Sequence, residues 1–270
     1  MKKSLSVVLL ALAACVSRSV WDERFLQSQT LSAPPLEVVL PSDRNFSFVM
    51  VGDLHVGGSH TDRFRNILQK AQAAGDDFVV LLGDLTDKGE AESFLAIQEA
   101  LADFGFEKRV IPLLGNHDVF SEGWNEYKKT WGASHYSLTL GNSRFIVLDT
   151  ADGLIGKEQW EWIQNTLESV KETHTFILTH YMPLVPGQRT YLRLSNQTEA
   201  ERLMKLASQK QVRGVFGGHY HSYCQEKIAG VDYVVAGGGG GRRMEPIQSH
   251  FFVRVTINGS EVSYQLELLD

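Results

Sequence analysis

Residues 46–55 read Phe-Ser-Phe-Val-Met-Val-Gly-Asp-Leu-His, an apolar run that stops at Gly52, Asp53 and His55. The design returns at Phe78 to Leu82 before Gly83-Asp84, and at Val110 to Leu114 before Gly115-Asn116-His117-Asp118. Short continuous apolar runs bounded by glycine predict strands buried on both faces. Between the first two runs, Thr61 or Asp62 can cap a helix whose Phe64, Ile67, Leu68 and Ala71 share one face, with Gly75 closing it. A second helix is expected from Glu90 to Phe104. Tyr136 to Leu140 and Arg144 to Leu148, joined by Gly141-Asn142-Ser143, read as a β-hairpin. Helices over Gln159 to Leu167 and Glu199 to Lys210 alternate with strands over Thr175 to Leu178, Gly214 to Phe216 and Tyr233 to Ala236. Alternation early and hairpins later predict an α/β (α+β) fold in which mixed sheets are covered by helices.

The chain has 270 residues, with 26 Lys plus Arg against 32 Asp plus Glu and a formal charge of −6. That balance excludes a nucleic-acid binder working through bulk positive charge. With 43% hydrophobic and 21% charged residues it reads as an ordinary globular chain built on one main domain. Two cysteines exclude a disulfide-stapled scaffold.

Metal-competent side chains end successive strands: Asp53 with His55, Asp84, Asn116 with His117, His180, and His219 with His221. Strand ends are where α/β folds place their sites. Each residue alone has an ordinary structural reading, but bringing this many ionisable groups together is costly unless a cation compensates. Imidazole, carboxylate and one amide oxygen suit divalent or trivalent transition metals better than calcium or magnesium. There are donors enough for two ions, the arrangement used for displacement at phosphorus.

Gly52-Asp53-Leu54-His55, Gly83-Asp84, Gly115-Asn116-His117-Asp118, His180 and Gly218-His219-Tyr220-His221 together resemble the five ordered motifs of the calcineurin-like metallophosphoesterase superfamily. The resemblance covers residues 46 to about 241. It implies a four-layer α/β/β/α sandwich, two mixed β-sheets flanked by helices. It also implies that Asp53, His55 and His221 hold one metal, Asn116, His180 and His219 the other, and that Asp84 bridges them. A hydroxide shared by the metals would then attack phosphorus, with His117 as general acid. The ions would be Mn, Fe, Zn or similar, and the substrate a small phosphomonoester or phosphodiester.

Residues 83–89, Gly-Asp-Leu-Thr-Asp-Lys-Gly, also resemble the Gly-Asp-x-x-Asp-Arg-Gly motif of the phosphoprotein phosphatase branch, which gives Asp87 the role of orienting His117. Lys88 replaces the arginine that clamps phosphate there, which argues against a protein serine/threonine phosphatase. No tyrosine follows Asp84 closely, so the tyrosine-ligated iron of purple acid phosphatases is not expected either. Arg189, Arg193, Arg242 and Arg243 are candidate substrate contacts. The glycine run Gly237 to Gly241 lacks a following helix and reads as a close-packed turn near the metals. His60, His135, His174 and His250 fall outside any motif and read as structural.

Lys2 and Lys3 before the apolar run Leu5 to Val16 have the layout of a secretory signal, too short to span a bilayer. Leu12-Ala13-Ala14-Cys15 resembles a bacterial lipobox, which implies a signal peptide over 1–14, lipid on Cys15 and, with Val16 following, the outer membrane facing the periplasm. The expected organisation is that leader, a tether and entry segment over 15–41, and the catalytic domain over 42–270. The competing reading is a lipoprotein that binds metal or ligand on this scaffold without catalysis; it has no need of an acid such as His117.

Overall fold

A computed structural model describes residues 20–58, 61–185 and 190–269. Cys15, Arg189 and His60 lie outside these residues.

The strands form two sheets. In the first, β1 (Asn45–Val51), β2 (Phe78–Leu81) and β3 (Val110–Pro112) run parallel, and β10 (Phe251–Asn258) and β11 (Glu261–Leu268) add antiparallel to the β1 edge. The second contains β4 (Tyr136–Leu140), β5 (Ser143–Val147), β6 (His174–Leu178), β7 (Gly214–Gly217), β8 (Tyr223–Ile228) and β9 (Val231–Ala236) in the order β4-β5-β6-β7-β9-β8. Strand alternation separates three cores. Phe48, Met50, Phe78 and Val80 face Phe145, Val147, Phe176 and Leu178 between the sheets. The opposite face of β1 and β2, with Val49, Val51, Val79 and Leu81, packs on α2 (Asp62–Ala74), α3 (Ala91–Asp103) and α4 (Gly123–Trp131). Ile146 and Ile177 turn the other way onto α5 (Lys157–Glu168) and α6 (Gln197–Gln209). The architecture is the expected four-layer sandwich, helices outside and two mixed sheets within.

Local chemistry explains the element ends. Gly75 takes φ 76° and its N–H returns to the last turn of α2, a left-handed cap that other side chains resist. The Asn196 side chain accepts from the Glu199 N–H and starts α6 two residues ahead of the expected boundary. β4 and β5 are joined by Gly141-Asn142 alone, a tighter hairpin than the three-residue turn read from sequence.

Of the expected tether over 15–41, residues 20–41 lie within the described part and pack on the domain. Within it Val20–Ser28 forms a helix, α1, docked on the second half of the molecule. Arg24 is buried and makes a bidentate pair with Asp149, Nε to Oδ2 at 2.7 Å and Nη2 to Oδ1 at 2.8 Å, and it also bonds Asp152. Phe25 stacks on His135 at 4.1 Å, and Trp162 meets the same imidazole edge-on at 5.0 Å. Farther along, Leu31, Leu36, Val38 and Leu40 pack against the inter-sheet core. Charged residues dilute the apolar stripe of this nine-residue helix, and its anchor partner lies 125 residues away, so no local pattern marks it.

Burial by itself would raise the Asp149 carboxyl, but Arg24 outweighs it and holds the group below the usual range. Burial pushes the His135 imidazole down to about 4. Both shifts act in the same direction. A carboxylate depressed in the fold, and an imidazole kept neutral in the fold, each contribute stability at neutral pH that is lost on acidification. For His135 the loss begins near the ordinary value of about 6.5 and runs down to about 4. Removing one partner of a buried ion pair costs ~3–5 kcal/mol. Arg24→Ala is therefore expected to lose stability of that order in urea titration and to expose α1 to protease; an unchanged midpoint would contradict the docking described here.

Candidate active site

The ends of β1, β2, β6 and β7 and the loop after β3 converge at one edge of the sandwich. Asp53, Asp84 and His180 are fully buried there, while His55, Asn116, His117, His219 and His221 are partly open. Among the described residues seven non-glycine residues have positive φ, and four of them are in this cluster: Asp53 at 60°, His55 at 47°, Asp84 at 50° and His219 at 62°. Each such residue costs ~1–3 kcal/mol, so strain is concentrated where the ligands must turn inward. The approach of the backbones is close enough to demand glycine. A Cβ on Gly115 would lie 2.0 Å from the Asp84 nitrogen, and one on Gly240 would lie 2.0 Å from the Leu54 carbonyl oxygen. The glycine run is thus the close-packed turn expected beside His55 and His221.

Among the described residues three groups of potential ligands form; two of them share the Asp84 carboxylate, and the third is His55, Asp87 and His117. Asp53, His55, Asp84 and His221 present ligand atoms within 4.8 Å of one another, and Asp84, His180 and His219 do the same. The Asn116 Oδ1 joins the second group at 3.1 Å from His180 Nε2. Ring orientation is set from behind: His180 Nδ1 donates to the Leu82 carbonyl at 2.9 Å and His221 Nδ1 to the Arg242 carbonyl at 2.9 Å. Their Nε2 atoms therefore face inward with lone pairs available. His180 Nε2 meets Asp84 Oδ1 at 3.3 Å, His221 Nε2 meets Asp53 Oδ1 at 3.3 Å, and His221 Nε2 and His55 Nε2 are 3.1 Å apart. Acceptors converging on acceptors require positive charge between them. A proton can partly stand in: burial opposes charge on His180, yet Asp84 overrides it and lifts the imidazole to about 9. Burial and the neighbouring His180 push His219 down to about 4, leaving it a neutral donor of electrons. Carboxylate, imidazole and amide oxygen in this geometry fit two transition-metal ions, with Asp84 the residue common to both groups.

His117 stands beside this cluster with a different attachment. Its N–H donates to Asp84 Oδ1 at 2.8 Å, and its Nδ1 donates to the main-chain carbonyl of Asp87 at 2.7 Å. The Asp87 carboxylate, expected to orient His117, is 4.0 Å from that nitrogen and nearer to His55 Nδ1, at 3.6 Å. Neither separation is a hydrogen bond, so what fixes His117 is the Asp87 main chain and not its carboxylate. His117 Nε2 remains free to carry a proton.

Of the candidate arginines, Arg193 is half-buried on the loop ahead of α6, and Arg242 and Arg243 are exposed after the glycine run. The Arg242 main chain is what touches the site. Arg63 was missed. It begins α2, lines a cavity of about 410 Å³ with His55, and bonds the Gly240 carbonyl at 3.2 Å. Its position in the first turn after the first motif was the available signal.

Asp118 was quoted in the third motif but given no role. It is fully buried and accepts from the N–H groups of Leu85, Thr86 and Gly115 and from the Thr86 hydroxyl, at 2.8–3.2 Å. Burial and nearby Asp84 raise its pKa to about 7. It ties the Asp84 loop to the Asn116-His117 loop from beneath.

Two metal-competent groups that share a carboxylate at the strand ends of a four-layer sandwich, with a histidine beside them, are an arrangement chemically suited to displacement at phosphorus. A model of the calcineurin-like phosphoesterase family matches residues 46–223, and the chain belongs to that family. A probable cyclic nucleotide phosphodiesterase of Fibrobacter succinogenes is 28% identical over 151 residues, which span 54% of this chain and 58% of that protein. A 3′,5′-cyclic-nucleotide phosphodiesterase of a Nostoc species is 23% identical over 206 residues, 70% of this chain and 76% of its own length. A purple acid phosphatase from yellow lupin has the same fold, with a TM-score of 0.69 at 18% identity, covering 86% of this chain and 54% of its own.

Asp118→Asn turns an amide toward N–H donors that need an acceptor. Loss of such support typically weakens metal binding ~10–100-fold. That drop should appear in competition titration with a chromogenic chelator, and wild-type affinity in the variant would count against the role given to Asp118.

Proposed function

We propose that this chain is a dinuclear metal-dependent phosphoesterase of the bacterial envelope, acting on small phosphodiesters of the cyclic-nucleotide type. The observation that carries the reading is Asp84, common to two ligand groups beside a histidine whose Nε2 is free. When bound, two ions of the Mn, Fe or Zn class would supply Lewis acidity and the acidification of water that yields a nucleophile at neutral pH.

The protein's own part is positional. Asp53, Asp84 and His180 are held rigidly by burial and by main-chain bonds, so the ions would be fixed before substrate arrives. His117, pinned through Nδ1, offers the Nε2 proton to the departing alkoxide, which leaves as a neutral alcohol. Lys88 is exposed and supplies a point charge in place of a fork, which supports small esters over phosphoprotein. The relatives named as cyclic nucleotide phosphodiesterases support the diester class. A capacity for metal binding alone would leave His117 without a use.

The reading is tested with purified protein, a Mn, Fe, Zn and Co series, and a panel of phosphomonoesters, cyclic nucleotides and linear diesters. Turnover of diesters that chelator abolishes is expected; inactivity across the whole matrix would end the enzyme reading. His117→Ala should retain metal and lose ~10²–10⁴ in rate, most for esters with poor leaving groups. Asp84→Asn should lose metal.

The envelope location rests on Cys15 and its lipobox-like context, which lie outside the described residues. No helix among the described residues is long and apolar enough to cross a membrane, so anchoring would fall to lipid. Cys15→Ser should move the protein from the membrane pellet to the soluble fraction on cell fractionation. Retention of the variant in the pellet would remove the lipid from the proposal.

A further inference from the structure

Few large apolar side chains are left open to water among the described residues, and two of these are aromatic: Phe120 and Tyr191. Phe120 follows the short 3₁₀ turn His117–Val119. Its ring lies 4.9 Å from the His117 imidazole, tilted by 49°, and is 46% exposed.

The backbone beneath that ring is fixed from two directions. The Phe120 carbonyl accepts the Gly123 N–H at 2.8 Å, which leads into α4. A Cβ on Gly89 would fall 2.7 Å from the same carbonyl, so the loop that carries Asp87 presses directly against it. The aromatic ring is therefore presented by a constrained turn, beside the His117 imidazole and nearly half open to water. A rigid, preorganised face forfeits little entropy when something stacks on it.

The chemistry says what passes there. His117 gives its Nε2 proton to the leaving oxygen, so the leaving alcohol must lie against His117, where the open Phe120 ring stands 4.9 Å from the imidazole. We propose that Phe120 is a stacking platform for the departing alcohol, and that the preferred ester is one whose leaving group carries a planar aromatic ring, as a nucleoside does. The inference rests on the phosphoesterase reading and narrows its substrate class. A phenyl face stacks on any base through its π-surface and offers no hydrogen bond, so it selects aromatic over aliphatic leaving groups without choosing among bases.

The test uses phosphomonoesters and methyl phosphodiesters of 2-phenylethanol and 2-cyclohexylethanol, alcohols of similar bulk and acidity that differ in planarity. Wild-type enzyme should show the lower KM for the phenyl ester, by about tenfold, the scale of one stacking contact. Phe120→Leu should bring the two KM values together, and Phe120→Trp should keep them apart. Leu95→Ala, an exposed apolar change on α3, serves as the surface control and should keep the wild-type ratio. Equal loss on both esters in Phe120→Leu, or no preference in the wild type, overturns the inference while leaving the phosphoesterase reading intact. Absence of hydrolysis of every ester, simple aryl phosphates included, overturns that reading and the inference with it.

Discussion

The structure depends on a convergence of electron pairs that has no neutral solution. Asp53 and Asp84 are buried, His180 and His221 are locked by carbonyls into presenting their Nε2 atoms inward, and the Asn116 amide oxygen joins them. Main-chain N–H groups of His117 and His219 donate to Asp84 and Asp53, but they are neutral and leave the concentration of negative charge and lone pairs uncompensated. A proton on His180, favoured by the neighbouring Asp84, offsets part of this charge, and bound divalent ions would offset more. Much of what surrounds the centre can be read as a means of holding the acceptors there against that cost.

Three devices do so. Left-handed backbone at Asp53, His55, Asp84 and His219 turns side chains inward immediately after strands that are straight and apolar. Glycines at 115 and 240 let neighbouring loops approach to distances that a Cβ would forbid. Beneath them Asp118 gathers donors from two loops into one buried carboxylate, which ties the Asp84 turn to the His117 turn. The β-sandwich contributes stiffness: aromatic side chains such as Phe48 and Phe78, stacked at 4.7 Å between the sheets, set the strand ends from which the ligands project.

Most of the fold was legible in the chain. Strands buried on both faces carry continuous apolar runs, and helices such as α2 show their buried face at the three and four spacing, so β1, β2, α2 and α6 stand within a residue or two of their expected limits. The ligand motifs were legible for a related reason, since polar residues directly after a glycine at a strand end are conspicuous against an apolar background. What could not be read shares a different character. The docking of α1 depends on Arg24 finding Asp149 across 125 residues. That His117 is held by the Asp87 main-chain carbonyl at 2.7 Å, while the carboxylate stays 4.0 Å away, depends on how two loops meet. Asp118 resembles any other aspartate until its donors are in view.

Which residues could meet a metal, and that strands would carry them, follows from residue type and periodicity, which are local properties of the chain. The tertiary structure alone fixes which ring nitrogen of His180 faces inward, and that Arg24 pairs with Asp149. Those are relations between segments far apart in the chain. Distances of about 3 Å between them are set by packing of the two sheets and the loops above them, and no local pattern encodes such a distance.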